Sequence, residues 1–136
     1  MQYKNYKEEK MIALRLAPGD EVMDCLTQIA VNENLKSASL HGLGASADFV
    51  LDSGHYNEEK HEISSIVGNI TKLDGEYFLH VHANMASPRG NVIGGHLKNC
   101  VIFSTCEIFI HYYDVEIGRF LPKPEERPAW VWMDPK

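Results

Sequence analysis

Cysteine is sparse in this chain. Its three residues, Cys25, Cys100 and Cys106, form an odd set with no Cys-x-x-Cys spacing, which argues against a disulfide framework or a zinc ribbon. They are expected to be reduced and mostly buried. Long apolar runs are missing as well. None approaches the roughly 20 residues of a membrane span, and "MQYKNYKEEK" lacks the apolar core of a secretory signal. No membrane association and a cytoplasmic location are therefore expected, and the sequon-like "NIT" at 69–71 carries no meaning without secretion. Positive charge is also short, with 13 Lys and Arg against 19 Asp and Glu and a net charge of −6. Nucleic-acid affinity comes largely from neutralising phosphates, so a free-standing DNA binder should carry a basic patch or tail. The most basic stretch here, "KNYKEEK", is half neutralised by its own glutamates.

What is present fits one domain. A chain of 136 residues buries about two-thirds of its unfolded surface without disulfides or a metal, so a metal found here would serve function rather than folding. With 44% apolar and 24% charged residues, wholesale disorder is not expected. "MIALRLAPGD" alternates Ile12, Leu14 and Leu16 over one strand length and stops at Pro18-Gly19. Asp20 is then expected to cap a helix, with Glu21 and Asp24 at the positive end of its dipole. Val22, Leu26, Ile29 and Ala30 follow at helical spacing, and the helix should end between Asn32 and Leu35. From Ser37 the chain reads as successive strands: "SASLHGLGAS", "ADFVLDS", "HEISSIVGNITKL", "EYFLHVHANM", "NVIGGHL" and "CVIFSTCEIFIHYYDVEI". "SGHYNEEK", "DG" and "SPRG" separate them. The expected class is α+β, a mainly antiparallel or mixed sheet with one main helix packed on it. Residues 118–136 hold four prolines and cannot be a central strand or a helix for most of their length. This tail is expected to lie on the body or a neighbouring subunit, with Trp130 and Trp132 as anchors.

The histidines carry the chemistry. In "EYFLHVHANM" the period of two puts His80 and His82 on one face with Phe78 and Asn84. A hairpin through "SPRG", symmetrical about Arg89, sets residue 82 opposite His96, and directly opposite residues lie about 5 Å apart at Cβ. Three imidazoles then converge where they can share one ion at about 2.0–2.1 Å. A one-residue slip would send His96 to the other face. Gly94 and Gly95 leave one wall free of side chains, where a ligand or another backbone can come close. Three protein nitrogens with an open fourth position is the pattern of a catalytic zinc site. The competing reading is that His-x-His arises by chance and the rings simply bond on a polar sheet face.

Other residues weigh less. His41, before a Gly-x-Gly segment, is a candidate fourth ligand or pocket wall, or else structural. Glu107, within an apolar run, is a candidate general base or a partner that orients a ligating imidazole, or else a surface ion-pair member. Arg89 is placed to hold an anionic substrate at the hairpin tip, or else to be solvated. "HGLGAS" lacks the spacing and the Lys-Ser/Thr of a phosphate loop.

Several ordered motifs resemble one family. "KHEISSIVGNI" resembles the Gly-Arg-Phe-Glu-Ile-Leu-Ser-Leu-Ser-Gly signature of the plant-and-prokaryote conserved (PPC) domain, with Glu62, Ile63, Ser65 and Gly68 in matching places. "GNVIGGHL" resembles its Gly-x-Val-x-Gly-Gly segment, "HGLGAS" its Gly-Ile-Gly-Ala turn, and "LAPGDEVMDCL" its opening strand and helix. The resemblance covers roughly residues 10–117, the expected domain. It implies an α+β homotrimer related in fold to acetolactate decarboxylase, which holds zinc through a similar His-x-His plus a later histidine. His80, His82 and His96 stand where many prokaryotic members have all three histidines and the plant domains usually do not. Zinc, or another divalent transition metal, is thus implied as the cofactor. In plants the domain follows AT-hooks that grip DNA; no AT-hook exists here, and "PRGN" at 88–91 is not one. The resemblance leaves four roles open: metal-dependent binding of a small molecule, a lyase or hydrolase reaction on a small oxo-acid or ester, DNA-binding regulation, and pure assembly of subunits and partners.

Overall fold

The computed structural model describes residues 1–120 and 129–131, with side chains through residue 119. Strand β1 (Gln2–Tyr6) is followed by a short 3-10 turn, β2 (Met11–Leu16) and helix α1 (Val22–Asn32). Then come β3 (Ser37–Leu51), β4 (Gly54–Tyr56), β5 (His61–Leu73), β6 (Glu76–Ala86), β7 (Val92–Tyr113), β8 (Gly118–Phe120) and β9 (Ala129–Val131). The class is α+β, a nine-stranded, mostly antiparallel sheet with one helix among the described residues. Pairings β3–β5, β5–β6, β6–β7 and β7–β3 form a ring, so the central strands roll on themselves. The short β8 pairs with β5 in parallel, and β9 pairs with β8. No helix among the described residues is long and apolar enough to cross a membrane.

Alternation decides the core. Ile12, Leu14 and Leu16 of β2 point inward with Ile108 and Ile110 of β7, and all five are buried. Helix α1 lays Val22, Cys25, Leu26, Ile29 and Ala30 against the same core, and its spacing explains why it forms there. The thiols are buried as expected: desolvation pushes Cys100 up to about 11 and Cys106 up to about 12. They are inert core residues at neutral pH.

Four expectations are corrected. The helix cap is Glu21, not Asp20. One Glu21 carboxylate oxygen accepts from the Asp24 N–H at 2.7 Å and the other from the Cys100 N–H at 2.7 Å, tying the helix start to β7. Asp20 instead accepts from the Ala17 N–H at 2.9 Å and pairs with the N-terminal amine at 2.6 Å. The polar opening segment, to which the sequence pattern assigns no element, is strand β1 paired along β2. "SGHYNEEK", read as a separator, contains β4, which folds back on the end of β3. Finally, the segments split at "HGLGAS" and at "HLKNC" run on as the long strands β3 and β7. Gly42 and Gly44 do not make a turn. They sit in β3 beside register shifts, and a Cβ on either would collide with β7: Gly42 with the Glu107 carbonyl, Gly44 with that of Thr105. These glycines serve close strand approach. The Trp132 anchor and the side chain of Trp130 lie outside the described residues.

Because Glu21 joins two elements through one carboxylate, Glu21→Ala is expected to lower stability by about 1–2 kcal/mol. A urea midpoint equal to that of the wild type would contradict the assignment.

Candidate metal centre

Strand β6 pairs with β5 along its whole length, from Glu62↔Ala86 to Leu73↔Glu76. With β7 it pairs only over residues 82–86 and 92–96. The last matched pair is His82↔His96, the register that symmetry about Arg89 requires. The turn at its tip is closed by Ser87 N–H to Asn91 C=O at 2.8 Å and Gly90 N–H to Ser87 C=O at 2.9 Å, with Gly90 at φ +85°. Beyond His96 strand β7 leaves β6 and pairs with β3, beginning at Leu97↔Leu51. The three histidines therefore stand at a fork where two strands part.

One ring nitrogen from each histidine lies within 4.8 Å of those of the other two. His80 Nε2 and His82 Nε2 are 3.1 Å apart, and the His80 and His96 rings stack at 5.0 Å with 15° between planes. The His82 and His96 centroids are 4.2 Å apart. Tetrahedral nitrogens at 2.0–2.1 Å from an ion lie about 3.3 Å from each other, so these donors fit one ion after small side-chain rotations. His82 is exposed, while His80 and His96 are half-buried, which leaves access from one side.

The other candidates go to different places. Gly94 and Gly95 flank the fork, but side chains of the chain itself make the close approach: a Cβ at Gly94 would meet Asn84 Oδ1, and one at Gly95 would meet Asp52 Oδ1. His41 shares the face of the cluster, in the row Phe109–His41–Val67–His82, two strands from His82. Two strand spacings are about 10 Å, too far to ligate the same ion, and His41 stacks on His111 instead, at 5.6 Å. Glu107 is exposed, opposite Arg15 on β2, and is not among the residues clustered with the histidines. Arg89 bonds Glu59 at 2.5 Å and lines a separate depression with His55 and His61.

Sequence reasoning missed Arg119 and Asp52. Strand β8 brings Arg119 alongside β5, where its Nε–H donates to Thr71 Oγ1 at 2.7 Å and a terminal N–H to Asn69 Oδ1 at 2.9 Å. Its guanidinium lies over the Phe78 ring, 4.5 Å from the centroid. Asn69 is the cross-strand partner of His80, so Arg119 adjoins the histidine cluster. Burial lowers its pKa from the usual range, although arginine remains protonated in proteins. Nothing in the spacing of "IGRFLP" signals this; only the parallel pairing does. Asp52 follows β3 in a turn, and its N–H donates to the His96 carbonyl at 3.2 Å.

The chain belongs to the Plants and Prokaryotes Conserved (PCC) domain family, whose model matches residues 3–114. Solved structures share the fold. A Bacteroides thetaiotaomicron protein described as a candidate DNA-binding protein superposes with a TM-score of 0.88 at 20% identity, covering 96% of each chain. A metal-containing protein from Archaeoglobus fulgidus gives 0.79 at 22% identity, again over 96% of each. A plant- and prokaryote-conserved protein from Pyrococcus horikoshii gives 0.77 at 22% identity, over 98% of this chain and 96% of that one. Among curated proteins, the chain is 31% identical over 129 residues to the bifunctional protein GlmU of a Synechococcus strain. That alignment covers 90% of this chain but 20% of GlmU, so the chain spans about a fifth of that relative's length.

Gly68 sets the distance between β5 and the histidine-bearing β6. A Cβ there would stand 2.5 Å from the His80 carbonyl oxygen and 3.0 Å from Val81 Cα. Gly68→Ala is therefore expected to force the strands apart at a cost of about 1–3 kcal/mol, seen as a lower urea midpoint. Wild-type stability in that variant would show that the contact relaxes freely.

Proposed function

We propose that this chain is a homotrimeric, cytoplasmic PCC-domain protein that holds a divalent transition metal, zinc first by ligand type, on His80, His82 and His96. The observation that carries this reading is the convergence of three imidazoles within 4.8 Å at the strand fork. Neutral imidazoles from two strands, with one side accessible, suit zinc and its neighbours better than calcium or magnesium. A metal-containing protein of the same fold from Archaeoglobus fulgidus supports it. When bound, the ion supplies a Lewis acid able to polarise a carbonyl or acidify a water. The chain's own part is to hold His80 and His82 in one strand alternation and His96 opposite, with Asp52 and Arg119 beside them. A lyase or hydrolase reaction on a small oxo-acid or ester is the enzymatic form of this reading.

The trimer is supported by the family and by the exposed face of the sheet. Leu43, Val67 and Phe109 are 55%, 52% and 45% exposed and share that face, an apolar stripe continuous with His82. Three buried free cysteines suit a reducing compartment. Proteins of this fold described as candidate DNA binders make DNA the second reading. The net charge of −6 and the missing AT-hook weigh against it for this chain.

Metal content on untagged protein tests the site. About one zinc per chain is expected in the wild type, falling at least tenfold in each of His80→Ala, His82→Ala and His96→Ala with the fold intact by circular dichroism. A wild type that takes up no zinc, nickel or cobalt would overturn the reading. Light scattering on Phe109→Glu tests the assembly: the wild-type mass should be that of three chains and the variant should fall toward one. A monomeric wild type would overturn the trimer.

A further inference from the structure

The ring of β3, β5, β6 and β7 has a mouth where the interior does not end in hydrocarbon. Along β5 the buried inward positions are Ile70, Ile66 and Ile63, and then His61. The His61 ring meets Phe49 edge-on at 5.0 Å, and Tyr56 stacks on the same Phe49 at 5.2 Å. In front of them lies a depression of about 430 Å³, walled by Tyr56 and Ile93 and edged by Asn57, Asn91 and the Arg89–Glu59 pair. Barrel mouths of this volume are places where small organic molecules bind.

His61 is 7% exposed, and its Nδ1 lies 3.1 Å from the Glu59 carbonyl oxygen. A carbonyl only accepts, so Nδ1 carries the proton and the neutral ring presents Nε2 as an acceptor. Among the described residues nothing bonds Nε2, and no partnerless side-chain nitrogen or oxygen is sealed from solvent. Nε2 therefore opens on the depression that His61 lines. A nearly buried acceptor placed this way costs free energy unless something inside the depression donates to it.

The charges select against ions. Arg89 is held by Glu59 at 2.5 Å, and His55 by Asp48 at 2.6 Å. Glu58 adds a further carboxylate to the edge, which repels an anion, while a carboxylate so exposed holds a cation weakly. The remaining polar groups are uncharged. Asn57 and Asn91 each offer donors and an acceptor, and His61 Nε2 accepts, a set that matches hydroxyl groups, which both donate and accept. We propose that this mouth binds a neutral polyhydroxylated ring, a monosaccharide unit. One hydroxyl donates to His61 Nε2, others bond the two amides, and the C–H surface of the ring lies on Tyr56 and Ile93. None of the three clustered histidines lines the depression, so the proposal does not rest on the ion reading.

Nuclear magnetic resonance on the full, metal-free, 15N-labelled chain tests this with the methyl glycosides of glucose, galactose and mannose. Cyclohexanol, cyclohexylamine and inorganic phosphate serve as the apolar, cationic and anionic comparisons. At least one glycoside at millimolar concentration should shift the His61 Nε2 signal together with the side-chain amides of Asn57 and Asn91. It should bind at least tenfold more tightly than any of the three comparisons. His61→Asn, whose amide can still donate to the Glu59 carbonyl but has no Nε2, should weaken that glycoside at least tenfold. No shift with any glycoside, tighter binding of cyclohexanol, cyclohexylamine or phosphate, or full affinity in His61→Asn would each overturn the proposal. If His61→Asn does not fold, Asn91→Ala on the exposed hairpin decides: a loss of threefold or more supports the site, and unchanged affinity overturns it. A chain that takes up no zinc defeats the ion reading and leaves this result as it stands.

Discussion

The parting of β6 from β7 at the His82↔His96 pair is the constraint on which the site depends. Above it the strands exchange backbone hydrogen bonds and face their side chains in register. Beyond it β7 must find another partner, and it takes β3 from Leu97 onward. The histidines stand at the last shared rung, so two strands hold them while, among the described residues, the space beyond stays open. A longer β6–β7 ladder would close that space. A shorter one would leave His96 unregistered with His82.

The rest of the fold can be read as support for that fork. The ring of pairings among β3, β5, β6 and β7 keeps β7 from following β6 further. Gly42 and Gly44 let β3 and β7 come close enough to pair, and Gly68 does the same for β5 beside His80. Glu21 anchors α1 to β7 through the Cys100 amide, close to where β7 leaves the hairpin. The helix then seals the buried side with Leu26 and Ile29, leaving the histidines on the outer face. Arg119 arrives from the strand added in parallel to β5, which brings a distant part of the chain to the same rim.

Local patterns were legible in the sequence where one residue's neighbours decide its place. The period of two put His80 and His82 together, the turn at Arg89 set His96 opposite, and the helical spacing of Val22, Leu26 and Ile29 marked α1. Features decided by distant partners were not legible. By residue type Asp20 is the better cap, and only the Cys100 amide across the core shows why the adjacent Glu21 takes the position. The glycines of "HGLGAS" look like a turn until β7 is laid against them. The polar opening strand has no apolar alternation because it pairs at the sheet's outer edge. Glu107, His41 and Arg89 are chemically apt but lie on other rungs or at the hairpin tip, while Arg119 stood in a segment read only as a proline-rich tail.

The central claim is that the fork presents three imidazole nitrogens to one ion. X-ray absorption at the zinc edge of the zinc-loaded protein tests it most directly. The account predicts a first shell of nitrogen and oxygen near 2.0–2.1 Å, with the outer-shell scattering of three imidazoles and no sulfur. A shell with sulfur near 2.3 Å, or one or no imidazole, would contradict it.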